Sequence, residues 1–148
     1  MNNPEFIRSR WFEDIPVGEF HVFGSHSFTE KEIIEFGKKY SPEAFHTSPE
    51  AAFDTEYRGL VAAELHLAAI WMKLMVAYME RFATGVQDGR RNGAGVSVRD
   101  MQWFKPVRPG HTITFTYEIC EKLDRRVRDK WGIIRSRNEG FNQNNERV

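Results

Sequence analysis

The stretch Leu60–Met79, LVAAELHLAAIWMKLMVAYM, decides the fold. As a helix it is long enough to cross a bilayer, which takes about 20 apolar residues. Glu64, His66 and Lys73 interrupt it, and Arg58, Glu80 and Arg81 flank it. Charges at membrane depth are expensive. The stretch therefore reads as a helix inside a soluble protein, with no membrane association. A helix apolar nearly all round must be covered on most sides, so the flanking sequence has to supply the cover.

Downstream, Thr84–Gly95 (TGVQDGRRNGAG) carries four glycines and reads as a flexible loop. From Val96 the pattern turns strand-like: VSVRDMQWFKPV, then RPG as a turn, then HTITFTYEICEK. Ile113, Phe115, Tyr117 and Ile119 alternate with polar or small residues, the period of a half-buried strand. A further strand is expected near Val127–Arg137, with Trp131, Ile133 and Ile134. Turn chemistry at Asn142–Asn145 opens a polar tail over about 142–148.

Upstream, WFEDIPVG (Trp11–Gly18) reads as an apolar start and a Pro/Gly turn, and Glu19–Phe28 as a strand broken near Gly24. Thr29 is an N-cap, and Glu32 completes a capping box for a short helix with Ile33 and Phe36 on its apolar stripe. Pro42 opposes helix at Ser41, so SPEAFHTS reads as a loop. Ser48 and Pro49 then start a helix over about Pro49–Thr55, and Arg58-Gly59 breaks the chain before the long helix. With no repeats and no linker, residues 1–148 form one α+β domain, an antiparallel sheet wrapped around a central helix.

Composition narrows the function. Lys plus Arg and Asp plus Glu number 21 each, so the formal net charge is zero. That argues against nucleic acid as a partner, which requires excess positive charge. One cysteine, Cys120, excludes an internal disulfide, and no Cys/His spacing suits zinc, so no metal is expected. A reducing, cytoplasmic setting fits. The first residues, MNNPEFIRSRWFED, lack the apolar core of a signal peptide.

Four stretches in this order resemble the MaoC-like (R)-specific enoyl-CoA hydratase/dehydratase family, which has the hot-dog fold. WFEDIPVGEF resembles its opening segment and FGKKYSPEAFHTSPEAA its catalytic loop. GLVAAELHLAAIWMKLM resembles its central helix and WFKPVRPGHTITF its Pro-Val-x-Pro-Gly-Asp turn. The resemblance spans Trp11 to about Asn144 and leads us to expect a further strand after the chain stops. It implies reversible addition of water to the double bond of an enoyl thioester, no bound cofactor, and an acyl-CoA or acyl-carrier thioester as substrate. It also implies a homodimer, or a heterodimer with another hot-dog subunit.

Carried over residue by residue, the family histidine matches His46, whereas its aspartate, five residues earlier, falls on Ser41. A family amide residue falls on Glu43, a proline on Ala44, the oxyanion glycine on Glu64 and the turn aspartate on His111. The catalytic candidates are therefore His46, Ser41, Glu64 and Glu43. Glu64 is the favoured replacement carboxylate, because in an apolar helix it would be desolvated and its pKa raised. His66 is expected to pack. Trp71, Met72, Met75 and Met79 are expected in the core. Phe45 and Gly59 are candidate substrate contacts, and Trp103 and Phe104 candidates for an acyl tunnel. Arg90, Arg91, Lys105 and Arg108 are candidates for the coenzyme A phosphates. Two rival functions stay open: a non-catalytic acyl-thioester-binding subunit, and a thioesterase using Glu64.

Overall fold

A computed structural model describes residues 10–81, 95–123 and 132–148. The Gly-rich loop with Arg90 and Arg91, together with Trp131 and the first residues of the expected third strand, lies outside them. After a 3-10 turn at Phe12–Asp14 come β1 (Phe20–Ser27), α1 (Glu30–Tyr40), α2 (Ala44–Thr47), α3 (Pro49–Phe53), α4 (Glu64–Arg81), β2 (Thr112–Leu123) and β3 (Ile133–Phe141). The strands form an antiparallel sheet in the order β1-β2-β3.

The break expected near Gly24 is a β-bulge. The β1–β2 register shifts between Val22 and Gly24, and Gly24 sits at φ +134°, open to glycine and strained for other residues. The alternation in β2 holds: Ile113, Phe115, Tyr117 and Ile119 are all buried. On the opposite face, Ser25 and Ser27 share hydrogen bonds of 2.7 Å with Thr114 and Thr112. The buried side joins Phe23, Phe28, Ile33, Leu60, Leu67 and Val107 in one core. Fully buried residues such as Phe28, Ile33, Ile113 and Ile119 contribute about 1.5–3 kcal/mol each.

Thr29 caps α1 by accepting from the Glu32 amide, and Ser48 caps α3 by accepting from the Ala51 amide, with Pro49 in the first turn. The loop expected at SPEAFHTS contains one helical turn, α2, because Pro42 stops α1 while Glu43 and Ala44 carbonyls accept from the His46 and Ser48 amides. The long helix starts at Glu64, not Leu60. Residues 60–63 run extended, with the Ala62 amide donating to the Val107 carbonyl at 2.8 Å.

Three other expectations need correction. The first concerns Met72 on the central helix α4, against which the sheet packs. Ile70, Trp71, Leu74, Met75, Tyr78 and Met79 pack on the core, while Leu65, Met72 and Val76 form an open stripe. Met72 is therefore not a core residue, although Trp71, Met75 and Met79 are. Second, 95–104 is not a strand: no neighbour pairs its backbone among the described residues, and Asp100 at φ +52° interrupts the extended run. Val96, Val98, Met101, Trp103 and Phe104 along it are exposed. Third, the polar tail expected over 142–148 is held by the turn at its start and ends on the core. The Asn142 side chain accepts from the amides of Asn144 and Glu146, the chain turns back beside β3, and Val148 is buried against the core.

Candidate active site

The site is assembled by the extended segment 60–63, which ties the α2 turn to the rest of the molecule. The Val61 amide donates to the Phe45 carbonyl at 2.9 Å, and the Val61 carbonyl accepts from His46 Nδ1 at 2.8 Å. A carbonyl oxygen only accepts, so the proton of a neutral His46 is on Nδ1 and Nε2 carries the lone pair. His46 is 2% exposed. Behind it α1 approaches so closely that only Gly37 fits: a Cβ there would lie 2.5 Å from the His46 carbonyl oxygen. Phe45 packs edge-on against His46 and at a tilt against Tyr57.

Free Nε2 faces a carboxylate that comes from Glu43. Glu43 Oε2 is 4.0 Å from His46 Nε2, too far for a direct hydrogen bond and suited to one bridging water. Ser41 Oγ donates to the same Oε2 at 2.7 Å. The Ser41 hydroxyl, then the backbone amide of Glu43 itself, hold the Glu43 carboxyl below the ordinary carboxylate range, against an opposing effect of burial, with the nearby His46 contributing least. Three of the four catalytic candidates thus converge: His46, Glu43 and Ser41.

Glu64 stands elsewhere. It is the first residue of α4 and exposed, not desolvated as expected, because the helix begins there and its first turn opens to solvent. No hydrogen bond or ion pair joins it to the other three candidates among the described residues. Glu64 lines a cavity of about 170 Å³ with Tyr57, Val61, Leu67, Trp103 and Phe104. Val61 belongs both to this cavity and to the His46 clamp, so the two features adjoin.

The expected substrate contacts have partners inside the chain. Arg108 Nη2 donates to the Tyr57 carbonyl at 2.5 Å, and its Nη1 lies over Gly59, where a Cβ would be 3.2 Å away. At φ +151°, Gly59 makes the turn and leaves the guanidinium its space. Lys105 pairs with Glu146 while also lining the cavity. Arg90 and Arg91 lie outside the described residues. Sequence reasoning missed two participants, Gly37 and the Val61 carbonyl. A glycine deep in an otherwise good helix was the signal for the first; a backbone acceptor leaves none.

His66 packs, as expected. It stacks on Phe36 at 4.5 Å and 6°, and its Nδ1 has no hydrogen-bond partner among the described residues. Burial is the largest influence on His66 and lowers its pKa; nearby Glu32 acts against this and His26 with it. The unfolded chain then binds a proton more readily than the folded one. His66 stabilises the fold above its unfolded pKa of about 6.5, and this stability is lost as pH falls through the folded value. We expect the melting temperature to drop between pH 7.5 and 5, and to drop less in His66→Phe, as followed by thermal unfolding.

Among the described residues no cluster of His, Cys, Asp or Glu is arranged to hold a metal, and no helix is long and apolar enough to cross a membrane.

A sheet packed on one long helix, with a buried histidine in the α2 turn ahead of that helix, defines a hot-dog protein of the MaoC-like type. Residues 24–148 match the family described as FAS1-like, dehydratase domain region, and the chain belongs to that family. Among solved structures it is similar to the MaoC-like dehydratase from Rhodospirillum rubrum: 28% identity, TM-score 0.74, with 92% of this chain and 88% of that one covered. It is also similar to the monoamine oxidase regulatory protein from Archaeoglobus fulgius, at 25% identity and TM-score 0.79, covering 94% and 88% of the two chains. The C-terminally truncated HadBC (3R-hydroxyacyl-ACP dehydratase) complex from Mycobacterium tuberculosis shares the fold at 20% identity and TM-score 0.66, covering 89% and 90%. No curated protein matches the sequence.

Proposed function

We propose that the chain is a cytoplasmic acyl-thioester hydratase/dehydratase of the enoyl-CoA type, working without a bound cofactor, in which Glu43 and His46 form the acid/base pair. One observation carries this reading: a buried histidine with Nδ1 committed to the Val61 carbonyl has its Nε2 4.0 Å from the Glu43 carboxylate, a separation one water can bridge. In hydration, that water gives a proton to His46 Nε2 as its oxygen bonds C3 of the enoyl thioester. The π electrons move to C2 and onto the thioester oxygen. The imidazolium, stabilised by the Glu43 carboxylate, then returns the proton to C2. Dehydration is the reverse. The His66 and Leu67 amides donate to the Ala63 carbonyl, so the Glu64 and Leu65 amides, the first two of α4, are the natural donors to the thioester oxygen. The cavity beside Val61 receives the acyl group, and Lys105 at its rim suits the phosphates of coenzyme A or the phosphopantetheine of an acyl carrier.

The open stripe on α4 and the exposed apolar run from Val96 to Phe104 support a second hot-dog subunit, this chain or a homologous one, pairing over them. Two cavity residues, Trp103 and Phe104, belong to that run, so the partner would close the pocket.

The test is hydration of crotonyl-CoA and of a longer enoyl-CoA, followed by loss of enoyl absorbance with a thiol assay on the same samples. Loss of absorbance with the thioester intact is the expected result. Thiol release would point instead to a thioesterase, and silence in both assays, with saturable acyl-CoA binding, to a non-catalytic subunit.

A further inference from the structure

We propose that Ser41 is a positioning residue that hands the role of a carboxylate at its own position to Glu43. The inference rests on the hydratase reading and deepens it. Ser41 closes the C-terminal end of α1, its amide donating to the Gly37 carbonyl at 2.9 Å. Glu43 opens α2 one turn before His46. The two side chains therefore emerge from the ends of two helices that face one another across Pro42. Glu43 is 54% exposed at its side chain, and an exposed glutamate on its own samples many rotamers. The Ser41 hydroxyl removes that freedom by donating to Oε2, the oxygen nearest His46.

A hydroxyl suits this work. It donates one hydrogen bond, which favours the ionised carboxylate, and leaves Oε2 a lone pair for the bridging water. Ser41 touches neither that water nor the substrate in this scheme; it acts through Glu43. An aspartate at 41 and a neutral amide at 43 would place one carboxylate in the same loop by the other route. The two arrangements are alternatives, and the pair must change together.

The hydrogen bond also makes a titration prediction. Removing a donor to the charged form raises the carboxyl pKa, so Ser41→Ala should move the Glu43 titration to higher pH, whereas Ser41→Thr, which keeps the hydroxyl, should move it less. The readout is the side-chain carboxyl resonance of Glu43 in the full chain, assigned with Glu43→Gln, and it needs no activity. In hydration assays Ser41→Ala should lower kcat by about 10- to 100-fold with KM little changed, the cost of a displaced catalytic group. Ser41→Asp combined with Glu43→Gln should recover most of the rate lost in Glu43→Gln alone.

An unchanged Glu43 titration in Ser41→Ala overturns the proposal, as does a double variant no faster than Glu43→Gln. If the parent hydrates no enoyl thioester, the reaction assignment falls, and the titration alone still decides whether Ser41 holds Glu43.

Discussion

His46→Ala is expected to lose enoyl-thioester hydration by about 10²–10⁴-fold in kcat, the usual worth of a general acid/base. The size follows from how completely His46 is committed. Its Nδ1 is used by the Val61 carbonyl, so Nε2 alone remains for the reaction, and among the described residues no other imidazole pairs with the Glu43 carboxylate. Alanine leaves the Glu43 carboxylate in place with nothing to return a proton to C2. It also leaves the Val61 carbonyl without its partner, so stability must be measured beside activity. His46→Asn offers a donor toward Val61 without a titratable ring and should be as inactive. A histidine serving only structure would give the opposite pattern: loss of stability, with hydration recovered in whatever protein remains folded.

Gly37→Ala is the second large effect, and its sign runs against helix propensity. In an ordinary helix the change would gain about 1 kcal/mol. Here the new Cβ would lie 2.5 Å from the His46 carbonyl oxygen and 2.9 Å from the His46 Cβ. The first of these is backbone and cannot rotate away, so α1 and the α2 turn must part. Overpacking of this kind costs about 1–3 kcal/mol, which outweighs the propensity gain. The displaced residue is His46 itself, and a shift of about 1 Å at a catalytic group costs about 100-fold in rate. We therefore expect a melting temperature lower by several degrees, together with a kcat loss larger than a core substitution of equal destabilisation causes. A more stable protein with unchanged kcat would show that this contact does not hold the site.

Where periodicity and capping dominate, the sequence carried the structure. The alternation in β2 named its buried face, and Thr29 and Ser48 named the starts of α1 and α3, because these signals are local. The likeness to MaoC-like proteins pointed to the hot-dog fold and to the loop around His46. What local pattern could not decide was which carboxylate meets His46. The choice of Glu64 rested on its apolar sequence neighbours, yet residues 60–63 run extended and leave Glu64 exposed at the helix start. Glu43 stood as the second candidate carboxylate, and the single turn of α2 brings it within 4.0 Å of Nε2. The run from Val96 failed for a related reason: a strand needs a neighbour, and periodicity does not say whether one exists in the same chain.

In the proposed reaction Glu43, not Glu64, works with His46. This pairing is tested most directly by comparing the hydration of crotonyl-CoA by Glu43→Gln and Glu64→Gln with that of the parent protein. Glu43→Gln is expected to lose about 10²–10⁴-fold, and Glu64→Gln to keep a rate within about tenfold of the parent. The reverse order, with Glu64→Gln inactive and Glu43→Gln near the parent, would contradict the pairing and return the carboxylate to the start of the central helix.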